Sequence, residues 1–461
     1  MPTKSRFAKC TQSFVPYSAL IIFLVIISSL ARVFLGAESK VLEEPEFQAF
    51  VLGSVFFVAY YINRIAPRTV IPSFVWAIFA GLAIQPLLAI YTNDISGLKI
   101  VIEICAALVL FSGGLSIPFK DFKKWFFPIA SLSLIGVLLS AVIFSAALLL
   151  LTKLFGLFET LLIPSIIILS AALASTDPAA IIPTLEHVRF KRGFIKQIAI
   201  AESALTDISG SIITAFLLAA FIGVAPHTSN FLVYFLPLLQ KSTYNELALQ
   251  IVSGILVGYL GFALIKKFYY TQKKTKGKKD SDADPSLLLS VPIFTFVLGN
   301  FLGGSAGFLS AFISGLLTDT VGGFRKVARF YENLLNHLVK PFIFIILGAL
   351  VPVNTLIRYA PLGILMALIF MFVIRPAVAF ISLSPWLFKH TFIVKDVLFL
   401  SFIRETGIIA AVLLIIASSY DIINSHFVIA IGMWVILLTL IIEPPLTPYI
   451  AKKIGVTKAE E

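Results

Sequence analysis

The sequence predicts an all-α polytopic membrane protein, and three observations carry that prediction. Hydrophobic residues fill 59% of the 461 positions and charged residues only 13%, with a mean hydropathy of +0.99. So few polar side chains cannot cover a water-facing surface on a chain of this length. Apolar runs of about 20 residues, the length that crosses a bilayer as a helix, recur from end to end. Lys and Arg collect in alternate loops between those runs.

Taken in chain order, the apolar runs are 17–36, 47–64, 69–91, 99–117, 125–151, 160–184 and 196–222, then 246–266, 286–301, 303–318, 334–351, 358–382, 395–418 and 425–449. Run 229–239 is shorter and reads as a re-entrant or interfacial piece. Residues 1–36 have two readings. The basic start, apolar stretch and Gly36-Ala37 pair resemble a signal peptide, while the length of the apolar stretch favours a retained extra helix. The first reading leaves 13 spans and the second 14.

A net charge of +12 suggests nucleic acid until the charges are placed. With the N-terminus inside, inside loops hold 27 of the 36 Lys and Arg and outside loops hold five, Lys40, Lys99, Lys153, Lys241 and Arg358. The other four, Arg32, Lys340, Arg375 and Arg404, lie in or near spans. That asymmetry is the positive-inside signal. It puts both termini in the cytoplasm of a multi-pass protein of the plasma or inner membrane, with membrane lipid and not nucleic acid as its surroundings. Cys10 and Cys105 suit neither a disulfide framework nor a metal site.

The chain reads as one transmembrane domain, 1–461, with the Lys-rich stretch 267–285 as a cytoplasmic linker between two halves. Each half carries one interrupted span. In 160–184 the interruption is Ser175-Thr176-Asp177-Pro178; in 395–418 it is Arg404-Glu405-Thr406-Gly407. Paired broken helices in corresponding positions point to an inverted-repeat transporter with its site at the membrane midplane. Hydropathy alone carries this symmetry. Gly113-Gly114 and Gly303-Gly304 read either as close helix crossings or as turns at span ends.

Two carboxylates stand where a charge is expensive, Asp177 and Asp207. Pro178 lacks an N–H and disfavours a helical Thr176-Asp177 step, so the helix opens there. Opening frees backbone carbonyls beside Asp177. On the next span Ser203 and Asp207 are four apart and face the same way, with Thr206 adjacent. Asp207, Asp177, Ser203 and the Thr176 carbonyl together make an all-oxygen cage of the kind hard cations prefer. A proton and a metal cation then compete for one carboxylate, and competition combined with alternating access is antiport. Ser203 has a second reading, a hydroxyl bonded back to its own helix. Glu202 lies about 140° round the helix from Asp207 and is expected to pair with Arg375. Arg404 is placed near the helix crossing, offsetting helix-end charge, with Glu405 as a local partner. Lys340, at the start of its span, is expected to snorkel, or else to reach Asp207 and change the charge count of transport.

The segments Ala174-Ser175-Thr176-Asp177-Pro178-Ala179-Ala180 and Ala201-Glu202-Ser203-Ala204-Leu205-Thr206-Asp207 resemble the monovalent cation:proton antiporters of the NhaP and sodium–proton exchanger type. Leu110-Phe111-Ser112-Gly113-Gly114-Leu115 and Arg375-Pro376 fit the same pattern. The resemblance spans roughly residues 47–450. It implies an inverted-repeat antiporter fold with two crossing broken helices and about 13–14 transmembrane helices, built as a homodimer whose core moves like an elevator. It implies exchange of Na⁺, or of K⁺ or Li⁺, for H⁺ in pH homeostasis, with Asp207 as ion and proton carrier, Asp177, Ser203 and the Thr176 carbonyl as ligands, and a Glu202–Arg375 pair. Two positions depart from the pattern. Thr206 stands where Asn is usual, which favours electroneutral one-for-one exchange; Arg404-Glu405-Thr406-Gly407 stands where an Arg-Gly pair is usual. A K⁺/H⁺ antiporter of the same fold and a passive cation channel are the alternatives. No enzyme motif and no cofactor site is read from the chain.

Overall fold

The computed structural model describes residues 17–30, 44–65, 72–88, 95–156, 162–186, 188–222, 240–276, 285–321, 324–403 and 405–458. Run 229–239, part of the 267–285 stretch, most of residues 1–36 and Arg404 lie outside the described residues. Among those described there is no strand; one isolated antiparallel bridge joins Phe190 to Thr457. Seven described helices are long and apolar enough to cross a membrane, and six shorter apolar helices accompany them. The helix Lys241–Lys276 runs well past the expected end of its span and takes in the first residues of the 267–285 stretch.

The surface is the inverse of a soluble protein's. Phe57, Val142, Leu256, Phe301, Val373 and Phe388 stand exposed on their helices, while Ser, Thr and acidic side chains are buried. An apolar exterior is expected where lipid is the solvent, and there small residues, not hydrophobicity, bring helices together.

Two crossings show how. The helix Ser73–Ala83 packs on Lys340–Ala349, and Ile95–Leu115 packs on Gly307–Thr318. A Cβ on Gly81 would strike the carbonyl of Ile345, and one on Gly348 the carbonyl of Ile78. In the second crossing Gly114 meets the carbonyl of Phe312 and Gly315 that of Phe111. Each glycine therefore abuts the carbonyl three residues before the facing glycine, in both crossings alike. Gly81 and Gly114 are 33 residues apart, and so are Gly315 and Gly348. The two crossings thus match at residue level. Of the glycine pairs singled out in the sequence, Gly114 and Gly303 sit at close contacts, whereas Gly304 has φ +68° and makes a turn.

Loop contacts fall into two groups. At one end Arg192 pairs with Asp396 at 2.9 Å, Gln197 donates to Asp121 at 2.7 Å, the Phe119 N–H donates to Asp319 at 3.1 Å, and the Lys458 N–H donates to the Arg189 carbonyl at 2.8 Å. At the other, Asn424 accepts from the Leu162 N–H at 2.6 Å, and Lys99 donates to Tyr420 at 3.3 Å. Each of these bonds joins segments that the charge pattern assigns to the same membrane face.

Candidate ion-binding site

Both interrupted spans break as their sequences require. The first is Ile163–Leu173, a non-helical stretch through Asp177, then Pro178–Glu186. The second is Val394–Phe402, a stretch through Gly407, then Ile408–Ser418. Pro178 heads its half-helix, where a missing N–H costs nothing.

The two breaks touch. The Asp177 N–H donates to the Glu405 carbonyl at 2.8 Å, and the Ile408 N–H donates to Asp177 Oδ2 at 3.3 Å. Asp177 therefore stands at the N-terminus of Ile408–Ser418, where the helix dipole favours an anion. Gly407 presses on the same carboxylate: an added Cβ would overlap the Asp177 side chain.

The helix Phe194–Ile222 carries Glu202, Ser203, Thr206 and Asp207, all buried. Thr206 Oγ1 donates to the Ser203 carbonyl at 2.7 Å and lies 2.6 Å from Thr176 Oγ1. Its one proton being spent on that carbonyl, Thr176 is the donor between the two hydroxyls. This bond ties the first break to the helix of Asp207. The Ser175 hydroxyl bonds back to the Ala172 carbonyl at 3.0 Å. Ser203 Oγ does no such thing; buried, it has no hydrogen-bond partner among the described residues.

Asp207 is 3% exposed, and among the described residues no hydrogen bond or ion pair holds its carboxylate. The charges that act on it are Asp177, Lys340 and Glu202. The expected snorkelling of Lys340 is not observed. At 5% exposure it is buried, and Asp177, Glu332 and Asp207 are the charges that act on it. Its helix packs into the molecule along the Gly81–Gly348 crossing, which draws the side chain inward.

Glu202 is buried, and its carbonyl accepts from Ser133 at 3.3 Å. Arg375 is buried too, follows the π-turn Phe370–Ile374, and lies over the Phe370 ring at 4.4 Å. Arg375 donates to Thr406 Oγ1 at 2.8 Å. Sequence reasoning named Thr406 and Gly407 only as part of the interruption in 395–418, without a role for either, and did not single out Glu443. Glu405 is fully buried, neither carboxylate oxygen has a hydrogen-bond partner among the described residues, and its charged neighbours are Glu443, Arg375 and Asp177.

A family model described as "sodium/hydrogen exchanger, transmembrane" matches residues 52–453. Among solved structures, the chain is similar to that of the sodium proton antiporter MjNhaP1 from Methanocaldococcus jannaschii at pH 8, with TM-score 0.68 and 20% identity over 88% of this chain and 98% of that one. It is also similar to an electron-microscopy structure of MjNhaP1, with TM-score 0.64 and 20% identity over 90% of this chain and all of the other.

Proposed function

The chain belongs to the transmembrane sodium/hydrogen exchanger family, and on that premise we propose that it exchanges one Na⁺ for one H⁺ on the carboxylate of Asp207. The observation that carries this reading is that Asp207 is buried, lacks a hydrogen bond or ion pair among the described residues, and has Asp177 as an electrostatic neighbour. A buried carboxylate needs a counter-charge or a proton. Na⁺ and H⁺ supply these in turn.

In the cation-loaded form Asp207, Asp177, the Ser203 hydroxyl and the Thr176 carbonyl surround Na⁺. Ser203 Oγ, with no partner of its own, is suited to that task. Thr206 holds the Thr176 segment against the Asp207 helix. In the other form Asp207 carries the proton, and only these two neutralised forms cross between the faces. Glu202 and Arg375 form a supporting pair. The core that contains both breaks moves like an elevator against the rest of a homodimer. Li⁺ and K⁺ compete for the same oxygens. The termini are cytoplasmic, and the protein serves pH homeostasis at the plasma or inner membrane.

Proteoliposomes loaded with a pH-sensitive dye test this reading: a Na⁺ gradient drives H⁺ flux in the wild type and none in Asp207→Asn. Full flux in that variant would sink the proposal, and a sustained current without proton coupling would make the protein a channel. The burial of Lys340 favours a second reading, in which Lys340 also gives up a proton when Na⁺ binds. Exchange would then carry net charge, and its rate would change when a valinomycin–K⁺ potential is imposed. One-for-one exchange is indifferent to that potential.

A further inference from the structure

Three residues of the stretch 405–408, Glu405, Gly407 and Ile408, form a clamp on Asp177. The Glu405 carbonyl takes its N–H at 2.8 Å, Gly407 leaves no room for any atom between chain and carboxylate, and the Ile408 N–H reaches Oδ2 at 3.3 Å. A non-helical stretch has no internal ladder of hydrogen bonds to fix it, so something outside must hold the clamp in place. Glu405 offers no help, because its carboxylate oxygens have no hydrogen-bond partner among the described residues. Gly407 has no side chain, and that of Ile408 is apolar. Thr406 remains. It is fully buried and accepts a hydrogen bond from Arg375 at 2.8 Å. Arg375 is itself pinned, buried and set over the Phe370 ring by the π-turn that precedes it.

We infer that Thr406 is a positioning residue for the cation site: through the Arg375–Thr406 bond it fixes the 405–408 clamp, and the clamp fixes where the Asp177 carboxylate stands. Thr406 itself touches neither cation nor proton. Charged hydrogen bonds to a neutral acceptor are stronger than neutral ones and leave the donor exposed to full desolvation cost when broken. Loss of the bond frees the clamp to shift, and displacements below 1 Å matter at such a site. The inference rests on the exchange reading for its effect on transport, but not for its effect on cation binding.

The test is Thr406→Val, which keeps the shape and removes the acceptor, beside Thr406→Ser, which keeps the hydroxyl. Two quantities are read on the full-length chain: the Na⁺ dependence of exchange in proteoliposomes, and the Na⁺ concentration that protects purified protein from thermal unfolding. Thr406→Val is expected to raise the KM for Na⁺ and the protecting concentration together by about tenfold, with kcat held within about twofold. Thr406→Ser is expected to restore both. If Thr406→Val does not fold, Thr406→Ala carries the same expectation. A folded Val or Ala variant with unchanged Na⁺ affinity overturns the inference, as does a Ser variant that fails to restore it. Absence of exchange in the wild type would instead defeat the exchange reading, and thermal protection by Na⁺ would still report on Thr406.

Discussion

The backbone N–H of Asp177 donates to the carbonyl oxygen of Glu405 at 2.8 Å, so the two interrupted spans meet main chain to main chain. Neither break is a loose end. Each leaves backbone groups that a helix would have satisfied internally, and each supplies a partner for the other. The Asp177 carboxylate then accepts from the Ile408 N–H, adding a charge to the positive end of the second half-helix.

Gly407 is the most sensitive position in this arrangement. An added Cβ would overlap the Asp177 side chain, and the obstacle is a residue held by the opposite break, not a free side-chain tip. Gly407→Ala is expected to cost about 1–3 kcal/mol of stability and to weaken Na⁺ binding at least about tenfold, since the carboxylate itself must move. Thermal unfolding of the purified protein and the Na⁺ dependence of exchange measure the two effects. An alanine variant with normal Na⁺ affinity would show that the Asp177 position does not set it.

Thr206 and Thr176 should behave as one unit. Their hydroxyls are 2.6 Å apart, and Thr206 donates its own hydrogen bond to the Ser203 carbonyl. Thr206→Val strands the buried Thr176 hydroxyl and is expected to destabilise by about 1–3 kcal/mol. Thr176→Val should cost a similar amount, and the double variant clearly less than the two together. Strict additivity in thermal unfolding would mean that the bond does not couple the break to the Asp207 helix.

Much of this architecture can be read from residue types alone, and the part that cannot has definite causes. Pro178 announces the first break because its missing N–H acts locally. The second break has no proline and is marked only by polar residues within an apolar run. What those breaks touch is not local, so the Asp177–Glu405 and Arg375–Thr406 contacts are invisible in either segment by itself. Lys340 reads as a snorkelling residue because it begins an apolar run, and only the packing of its helix turns it inward. The residue-level match between the two crossings was legible in principle. Two glycine pairs with the same 33-residue spacing carry it, but each is one small residue among many until the crossings are seen.

The two glycine crossings make a paired prediction. Gly81→Val and Gly315→Val occupy equivalent places, each facing a helix backbone carbonyl that cannot yield. Both are expected to destabilise by about 3 kcal/mol or more, beyond ordinary overpacking, because two helices must separate. Gly53→Val is the control, since nothing lies within 4 Å of a Cβ built there. Detergent-solubilised melting temperatures should fall together for the first two and stay unchanged for the third. A large difference between Gly81→Val and Gly315→Val would argue against equivalence of the two crossings.

The pH dependence of exchange follows from one carboxylate serving both ions. Lowering the pH places a proton on Asp207 more often, and each proton must leave before Na⁺ enters. The KM for Na⁺ should therefore rise as pH falls, approaching about tenfold per pH unit once the proton dominates. The rate at saturating Na⁺ should change much less, because enough cation displaces the proton. Initial rates measured against Na⁺ concentration at a series of pH values, equal on both sides before the gradient is imposed, resolve the two parameters. Competition requires that the lines for different pH values converge at infinite Na⁺. A fall in maximal rate with constant KM would instead place the controlling proton on a group other than Asp207, and Lys340, buried within electrostatic reach of it, would be the first to examine by Lys340→Gln.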